Sequence, residues 1–230
     1  MIGIICAEQK EINEILKLMT NKNEENFRSF KFIKGEINNH DCTAVLSGVG
    51  KVSSAICTQV LIFKYSPDII LNVGVAGGIS EKINIGDVVI ANNVVQHDFD
   101  VSIFPNRKRG EIPALSLVQI PCSTWVIEKI LNSAKSISNV KVHNGTIVSG
   151  DQFINCPNKL LGLNTDFGGI ACEMEAGAIG QTCFVNKVDF GIIRSISDNA
   201  NSDAKINFEE FIEQSSMNAA SILSAFIRSI

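Results

Sequence analysis

The chain has 230 residues, of which 45% are apolar and 19% are charged, and its formal net charge at pH 7 is -4. A chain of this length and composition can bury a full core, which excludes a disordered chain and a small disulfide scaffold. The charges are spread without a basic block, so we expect neither nucleic acid nor an anionic membrane as the main partner. A small molecule is the expected ligand.

The N-terminal segment and the cysteines indicate the compartment. The segment MIGIICAEQKE has a short apolar run, no basic leader and a charged residue at Glu8, so it predicts neither a signal peptide nor a spanning helix. The seven cysteines form no CxxC pair and lie mostly in apolar segments such as 2–7 and 54–63. They are predicted to be reduced core thiols of a cytoplasmic protein.

The first part of the chain alternates strand-like and helix-like segments. An apolar run predicts a buried strand at 2–6, and apolar residues at helical spacing predict an amphipathic helix at 8–19. The polar cluster 38–41 separates two strand-like runs and predicts an antiparallel hairpin. The other predicted elements here are the hairpin strands 30–37 and 42–46, a helix at 51–65 that Pro67 ends, and a strand at 69–73 followed by the loop GVAGG.

The alternation continues to the C-terminus. The predicted elements are a strand at 88–95, a helix at 124–137 capped by Ser123, an extended segment at 140–149, a strand at 169–172, a helix at 175–186, a strand at 190–196 and a terminal helix. An apolar stripe on that last helix is predicted to pack in the core; it comprises Phe208, Phe211, Ile212, Ala219, Leu223, Phe226 and Ile227. With no repeat or linker, the pattern predicts one mixed-sheet α/β domain over 1–230.

Polar residues follow several predicted strands, where ligand sites of such sheets gather. Three of them are acids, Glu11, Glu175 and Asp198, with few cations nearby in the sequence. The segment SGVGK at 47–51 lacks the spacing of a phosphate loop and is predicted to be a tight turn before a helix. The glycines of GVAGG are predicted to permit a turn with positive φ.

Buried acids without partners are costly, and a polyol ligand would supply partners. A carboxylate can accept hydrogen bonds from both hydroxyls of a ribose cis-diol and can stabilise positive charge that develops on the sugar. Cleavage of a glycosidic bond also needs one group to protonate the leaving atom and another to activate water. The alternative for Glu173 and Glu175 is that they only place negative charge at a helix N-terminus, and it stays open at this point.

Seven ordered motifs carry a resemblance to a known family: VLSGVGKVSSA, NVGVAGG, GDVV, HDFDVSIF, VSGDQFI, EMEAGAI and RSISDNAN. The chain resembles the nucleoside phosphorylase superfamily, and specifically its hydrolytic branch, the bacterial methylthioadenosine/S-adenosylhomocysteine nucleosidases. The likeness runs from Ile2 to the terminal helix. It implies a mixed, partly closed sheet surrounded by helices, no metal or organic cofactor, an adenine nucleoside substrate and a place in methionine salvage.

The resemblance also implies roles for individual residues. Glu11 would activate the attacking water, and Asp198, oriented by Ser197, would protonate N7 of the departing purine. Glu175 would hold the ribose hydroxyls and stabilise the oxocarbenium-like state. The other implied contacts are Glu173 beside Glu175, Met174 against the sugar, Phe153 stacked on adenine, the backbone of Ile154 at its edge, Val75 in the wall, and Val49 and Phe208 around a 5′-thio substituent.

A homodimer is implied as well, with Val101 and Phe104 reaching into the pocket of the second subunit. The segment HDFD, 97–100, has a spacing that metal ligands can have, but the resemblance makes it part of the interface and the rim of the site.

Two departures from the family pattern concern the 5′ group. The pattern AMxEE is here AEQKE, which places Glu8 near the expected 5′ pocket, and Val75 replaces a hydroxyl residue. Two rival functions remain. A phosphorylase would need cationic donors for phosphate. In the segment LNVG of this chain, Asn72 stands at the position of the arginine in the RVG pattern of the phosphorylases. A non-catalytic nucleoside sensor would not need all three acids.

Overall fold

The computed structural model of the protein describes residues 1–200 and 204–230. Over these residues the chain forms one ten-stranded sheet with six helices packed around it. The strands are β1 (Ile2–Cys6), β2 (Thr20–Phe27), β3 (Phe30–Ile37), β4 (His40–Leu46), β5 (Ile69–Gly78), β6 (Val88–Gln96), β7 (Ile120–Pro121), β8 (Val142–Ser149), β9 (Gly169–Glu173) and β10 (Asp189–Asp198). The helices are α1 (Gln9–Leu18), α2 (Lys51–Tyr65), α3 (Thr124–Ala134), α4 (Pro157–Phe167), α5 (Ala176–Asn186) and α6 (Ala204–Arg228).

The sheet closes on itself at one end. Strand β10 runs parallel to β5 and antiparallel to β6, and the path continues through β8 and β9 back to β5. The short strand β7 pairs with β6, and the other four strands extend the sheet from β5 in the order β1, β4, β3 and β2. The predicted mixed, partly closed sheet is therefore confirmed. Closure leaves no free edge in the barrel part, because every strand there has two neighbours.

Apolar helix faces cover the sheet on both sides. Helices α1, α3 and α6 pack on one side, while α2 and α5 pack on the other. The predicted stripe on α6 is buried at Ile212, Ala219, Leu223, Phe226 and Ile227, which confirms core packing for that part. Its first member, Phe208, lines a cavity instead.

The hairpin was predicted correctly. Strands β3 and β4 pair antiparallel around Asn38 and Asn39, which both have positive φ. Asparagine tolerates this conformation better than most residues, so the polar cluster suits the turn. Ser123 does occupy the N-cap position of α3, but its hydroxyl donates to Asp189 Oδ1 at 2.7 Å rather than capping the helix.

Three elements were not predicted. Strand β2, with the sequence TNKNEENF, is almost entirely exposed and has no apolar alternation. Helix α4 contains Gly162, and β7 has only two residues. Contacts with other elements determine all three, with β3 for β2, β6 for β7, and β8 and β9 for α4, so the local pattern does not indicate them.

The predicted loop GVAGG is wrong: β5 continues as a strand to Gly78. None of its glycines has positive φ. Gly74 and Gly77 are needed instead because the carboxyl groups of Glu11 and Asp198 approach the backbone there.

The seven cysteines are all unpaired, and every one except Cys156 is buried, as predicted. No helix in the described ranges has the length and apolar character that a membrane crossing requires.

Candidate active site

A cavity of about 190 Å³ opens where β1, β5, β9 and β10 converge. Eleven of the thirteen residues predicted for the site line it. They are Glu11, Val49, Val75, Phe153, Ile154, Glu173, Met174, Glu175, Ser197, Asp198 and Phe208. The sequence-predicted residues are thus brought together, apart from Val101 and Phe104.

The strand order sets the direction in which the cavity extends. Strands β10 and β1 flank β5 on opposite sides, and β4 follows β1. Asp198 ends β10, while Glu8 and Glu11 follow β1 and Val49 follows β4. Because neighbouring strands are ~4.8 Å apart, the cavity spans roughly 14 Å from Asp198 to Val49.

Glu11 is held at the start of α1 by three backbone N–H groups. Its Oε2 accepts from Ala7 at 2.8 Å and from Glu8 at 2.9 Å, and its Oε1 accepts from Val75 at 2.8 Å. Burial raises the pKa of the Glu11 carboxyl above its ordinary value, although Arg194 and these hydrogen bonds oppose the shift. A carboxyl with a raised pKa is a stronger base than an exposed one, which suits proton abstraction from water.

Arg194 is the site residue that the sequence analysis missed. Its guanidinium is buried and lies among carboxylates, with Nη2 bound to Glu173 Oε2 and 3.2 Å from Glu175 Oε2. Nη2 also donates to Asn72 Oδ1 at 2.7 Å, and Nη1 donates to the carbonyl of Val75 at 3.2 Å. Burial lowers the pKa of Arg194, but the three neighbouring glutamates outweigh it and raise the pKa overall. Few cations were expected near these acids, and among the residues of the described ranges that line the cavity Arg194 is the one cation.

The two glutamates of EMEAGAI have separate tasks. Glu173 Oε2 accepts from the backbone N–H of Glu175 at 2.9 Å and of Ala176 at 2.8 Å, so Glu173 caps α5. Glu175 lines the cavity and accepts from the Gly50 N–H at 3.0 Å, at the N-terminus of α2. Burial and then the charge of Glu173 raise the pKa of Glu175, while Arg194 opposes the shift. The helix-terminus alternative therefore describes Glu173, whereas Glu175, the N-cap residue of α5, also lines the cavity.

Asp198 is positioned by a bulge at the end of β10. The register against β5 shifts between Ile196 and Asp198, so Ser197 is an extra residue there. Asp198 Oδ2 accepts from the Ser197 hydroxyl at 2.9 Å, and Oδ1 accepts from the Ala200 N–H at 2.7 Å. Burial raises the pKa of Asp198, and these two hydrogen bonds oppose the shift. A carboxyl that keeps its proton to a higher pH is suited to act as an acid.

Glycines allow the charged groups to approach the backbone. A Cβ on Gly74 would lie 2.5 Å from Arg194 Nη1 and closer still to Glu11 Oε1, so no larger residue fits there. In the segment SGVGK, Gly48 and Gly50 have φ of 76° and 98°, which confirms the predicted tight turn before α2. That turn presents the Gly50 N–H to Glu175.

The apolar wall lies between the two ends of the cavity. Phe153 is 47% exposed, and its ring meets Phe208 edge on, with centroids 5.8 Å apart. Ile154 and Val75 are buried. An aromatic ring beside a partly open cavity offers a surface on which a flat heterocycle can stack.

Val101 and Phe104 lie outside the cavity of their own chain, and Phe104 is 63% exposed. In the neighbouring segment 97–100, Asp98 pairs with Lys51 Nζ at 2.5 Å and accepts from the Asp151 N–H at 2.9 Å. Within the described ranges, no group of three or more His, Cys, Asp or Glu side chains is arranged to hold a metal ion.

Comparisons with known proteins show the family to which the chain is similar. A family model described as the phosphorylase superfamily matches residues 1–228. A 5′-methylthioadenosine/S-adenosylhomocysteine nucleosidase from Staphylococcus haemolyticus is 38% identical, over 99% of each chain. One from Shewanella halifaxensis is 35% identical, over 100% of this chain and 99% of the relative.

Solved structures of similar proteins superpose on the whole chain. The nucleosidase from Neisseria meningitidis in complex with methylthio-immucillin-A superposes with a TM-score of 0.96 at 32% identity, covering 100% of this chain and 99% of the other. The futalosine hydrolase of Helicobacter pylori superposes with a TM-score of 0.95 at 31% identity, covering 100% of this chain and 97% of the other.

Proposed function

Because the chain belongs to the phosphorylase superfamily, we propose that it hydrolyses the N-glycosidic bond of 5′-methylthioadenosine and S-adenosylhomocysteine, releasing adenine and the thioribose product. The observation that carries this proposal is the convergence of Glu11, Glu175 and Asp198 on one cavity. Two of these carboxyls have the positions of a base and an acid at separate strand ends, and the third lies between helices α2 and α5. Hydrolysis of the bond without phosphate requires these three carboxyl groups and a water molecule.

The reaction follows from these positions. Asp198 donates a proton to N7 of adenine, which makes the purine a better leaving group, and the C1′–N9 bond breaks with its electron pair passing to the purine. The sugar becomes oxocarbenium-like, and the carboxylate of Glu175 stabilises this charge and accepts from the ribose hydroxyls. Glu11 takes a proton from water as the water oxygen bonds to C1′. The products are adenine and a ribose with a hydroxyl at C1′.

Arg194 supports water rather than phosphate as the nucleophile. Phosphate needs cationic donors that are free to bind it. Among the described residues that line the cavity, Arg194 is the one cation, and it is already bound by Glu173, Glu175 and Asn72. An anion entering the cavity would also meet the charge of the glutamates. The phosphorylase alternative therefore lacks a binding group.

The non-catalytic alternative is disfavoured by the raised pKa values of Glu11 and Asp198. A sensor would bind the nucleoside without needing an acid and a base at opposite sides of the glycosidic bond.

We also propose a homodimer, in which Val101 and Phe104 of one subunit complete the 5′ pocket of the other. Exposed apolar side chains support it, since Val52 and Ile56 on α2 and Val185 on α5 are each more than half exposed. Reduced cysteines support a cytoplasmic location, where methionine salvage would use the reaction.

The test is to incubate the purified protein with methylthioadenosine, S-adenosylhomocysteine, adenosine, 5′-deoxyadenosine and futalosine, with and without phosphate. We expect free adenine from the first two, at a rate that phosphate does not change. Formation of a sugar 1-phosphate would show a phosphorylase, and binding without any product would show a sensor. Faster cleavage of futalosine than of methylthioadenosine would show that the activity is that of a futalosine hydrolase.

A further inference from the structure

Of the five described carboxyl residues that line the cavity, Glu8 is the one that neither takes part in the proposed mechanism nor binds Arg194. Glu8 lines the wall and is half-buried, directly after the end of β1. Its backbone N–H donates to Glu11 Oε2, and its side chain forms the other half of a capping box with the backbone of Glu11 at the start of α1. Within the described ranges no lysine, arginine or histidine forms an ion pair with it, and the neighbouring Lys10 pairs with Glu213 instead.

The strand order places Glu8 at one end of the bound nucleoside. Asp198 lies beyond β5 on the β10 side, whereas Glu8 lies on the β1 side, next to Val49 after β4. If the purine is at Asp198 and the ribose at Glu175, the substituent on C5′ points toward Glu8 and Val49. This step rests on the proposed function, since it uses the orientation of the nucleoside.

The negative charge of the cavity as a whole also favours a cationic substituent over an anionic one. Five carboxyl residues line it, against one guanidinium. The guanidinium of Arg194 is bound by Glu173 and Glu175 and lies 3.6 Å from Glu11, so it does not offset Glu8. In a partly enclosed site, where water screens less, a carboxylate without a cationic partner attracts a cation and repels an anion.

We propose that Glu8 is a specificity-determining residue that favours 5′ substituents carrying an ammonium group and disfavours those carrying only a carboxylate or phosphate. The amino group of an amino-acid tail on the 5′ sulfur is such a cation. A plain alkylthio group gains nothing from Glu8, because it has no charge to pair. Val49 contacts the alkyl portion in either case.

Three probes of similar length separate charge from size: the 5′-(2-aminoethylthio), 5′-(propylthio) and 5′-(2-carboxyethylthio) derivatives of 5′-deoxyadenosine. The measured quantity is the ratio of kcat/KM for the amino and carboxy probes. In wild type we expect the amino probe to be preferred. In Glu8→Gln that ratio should fall roughly three- to tenfold, which is the range of a half-buried ion pair plus a removed repulsion.

Two further variants serve as controls. Glu14→Gln removes the same charge from the same helix, where Glu14 pairs with Lys17 outside the cavity, and it should leave the ratio unchanged. Glu8→Asp keeps a charge at the wall and should retain a preference for the amino probe. An unchanged ratio in Glu8→Gln, or an equal fall in Glu14→Gln, would overturn the proposal.

The affinities of the corresponding carbocyclic nucleosides, which have no glycosidic bond to cleave, are measured by calorimetry for the same proteins. A charge preference in binding without hydrolysis of any probe would refute the proposed function and leave the assignment of Glu8 intact. Hydrolysis of all three probes with no charge preference would support the proposed function and refute the assignment of Glu8.

Discussion

Arg194 Nη1 lies 3.6 Å from Glu11 Oε1, and both groups approach the backbone where Gly74 has no side chain. The pair joins the middle of β10 to the start of α1, and β5 lies between β10 and β1 in the sheet. The proposed base and the cation of the site thus meet beside one glycine.

Gly74→Ala should abolish hydrolysis while the protein still folds. The added Cβ would lie 2.5 Å from Arg194 Nη1, so the pair must separate and Glu11 must leave its position. We expect kcat to fall by at least about a hundredfold, the scale of a lost general base. Gly162→Ala is the matched control, because a Cβ there meets nothing within 4 Å. Circular dichroism and adenine release are measured on both, and full activity of Gly74→Ala would contradict the site geometry.

Glu11→Gln should reduce turnover by at least about a hundredfold and leave the affinity for adenine near that of wild type. The structure adds a loss of stability. Three N–H donors surround the carboxylate, so the amide NH₂ must face a donor, which costs about 1–3 kcal/mol. Urea unfolding and single-turnover kinetics measure the two effects. Unreduced turnover would exclude Glu11 as the base.

Asp198→Asn should remove activity with little structural cost. The carboxamide oxygen can keep the Ala200 N–H, and the Ser197 hydroxyl can turn to accept from the new NH₂, since Ser197 Oγ also lies 3.4 Å from the carbonyl of Ala76. An amide cannot deliver a proton to N7, so cleavage of methylthioadenosine should fall steeply.

The same contact predicts a purine preference. Asp198 would donate to N7 and accept from the 6-amino group, whereas a 6-oxo group presents an acceptor to an acceptor, which is worth roughly ten- to a hundredfold. Rates on methylthioadenosine and methylthioinosine test this in wild type. Preference for the inosine analogue, or a fully active Asp198→Asn, would refute the assignment.

Ser197→Ala should move the alkaline limb of the pH profile to higher pH. The Ser197 hydroxyl stabilises the ionised form of Asp198, so its loss raises the pKa of Asp198 further. The reaction needs the protonated form, which then persists to higher pH, while the acidic limb set by Glu11 stays in place. Profiles of kcat/KM against pH are compared with those of Ser195→Ala. This variant is the control because the Ser195 hydroxyl donates to the carbonyl of Asp87. A downward shift would show that Asp198 does not act as the acid.

Phe104→Asp should weaken the proposed dimer and the binding of thio-substituted nucleosides more than that of adenine. Phe104 is 63% exposed and outside the cavity of its own chain, so in a monomer the change would have little effect. Sedimentation velocity and substrate affinity are measured together, with Phe27→Asp on the outer strand β2 as the control. A wild-type monomer with full activity would contradict the dimer.

The sequence by itself determined the class of fold and most residues of the site. Apolar periodicity located the buried strands β1, β5 and β10 and the amphipathic helix α1, because burial of one face imposes a regular spacing. The family resemblance predicted eleven residues that the structure brings to one cavity, nine of them in the ordered motifs and two, Glu11 and Phe208, outside them.

Only the tertiary structure decided the task of Arg194. In the sequence it lies in a run of buried strand residues, where an isolated charge would be unfavourable. Glu11, Glu173 and Glu175 stabilise it from segments far apart in the chain, and a local pattern contains no information about that convergence. The same reason explains Gly74, where a side chain is excluded by atoms of Glu11 and Arg194. Strand β2 is a different case, because its polar sequence becomes a strand by pairing with the adjacent β3.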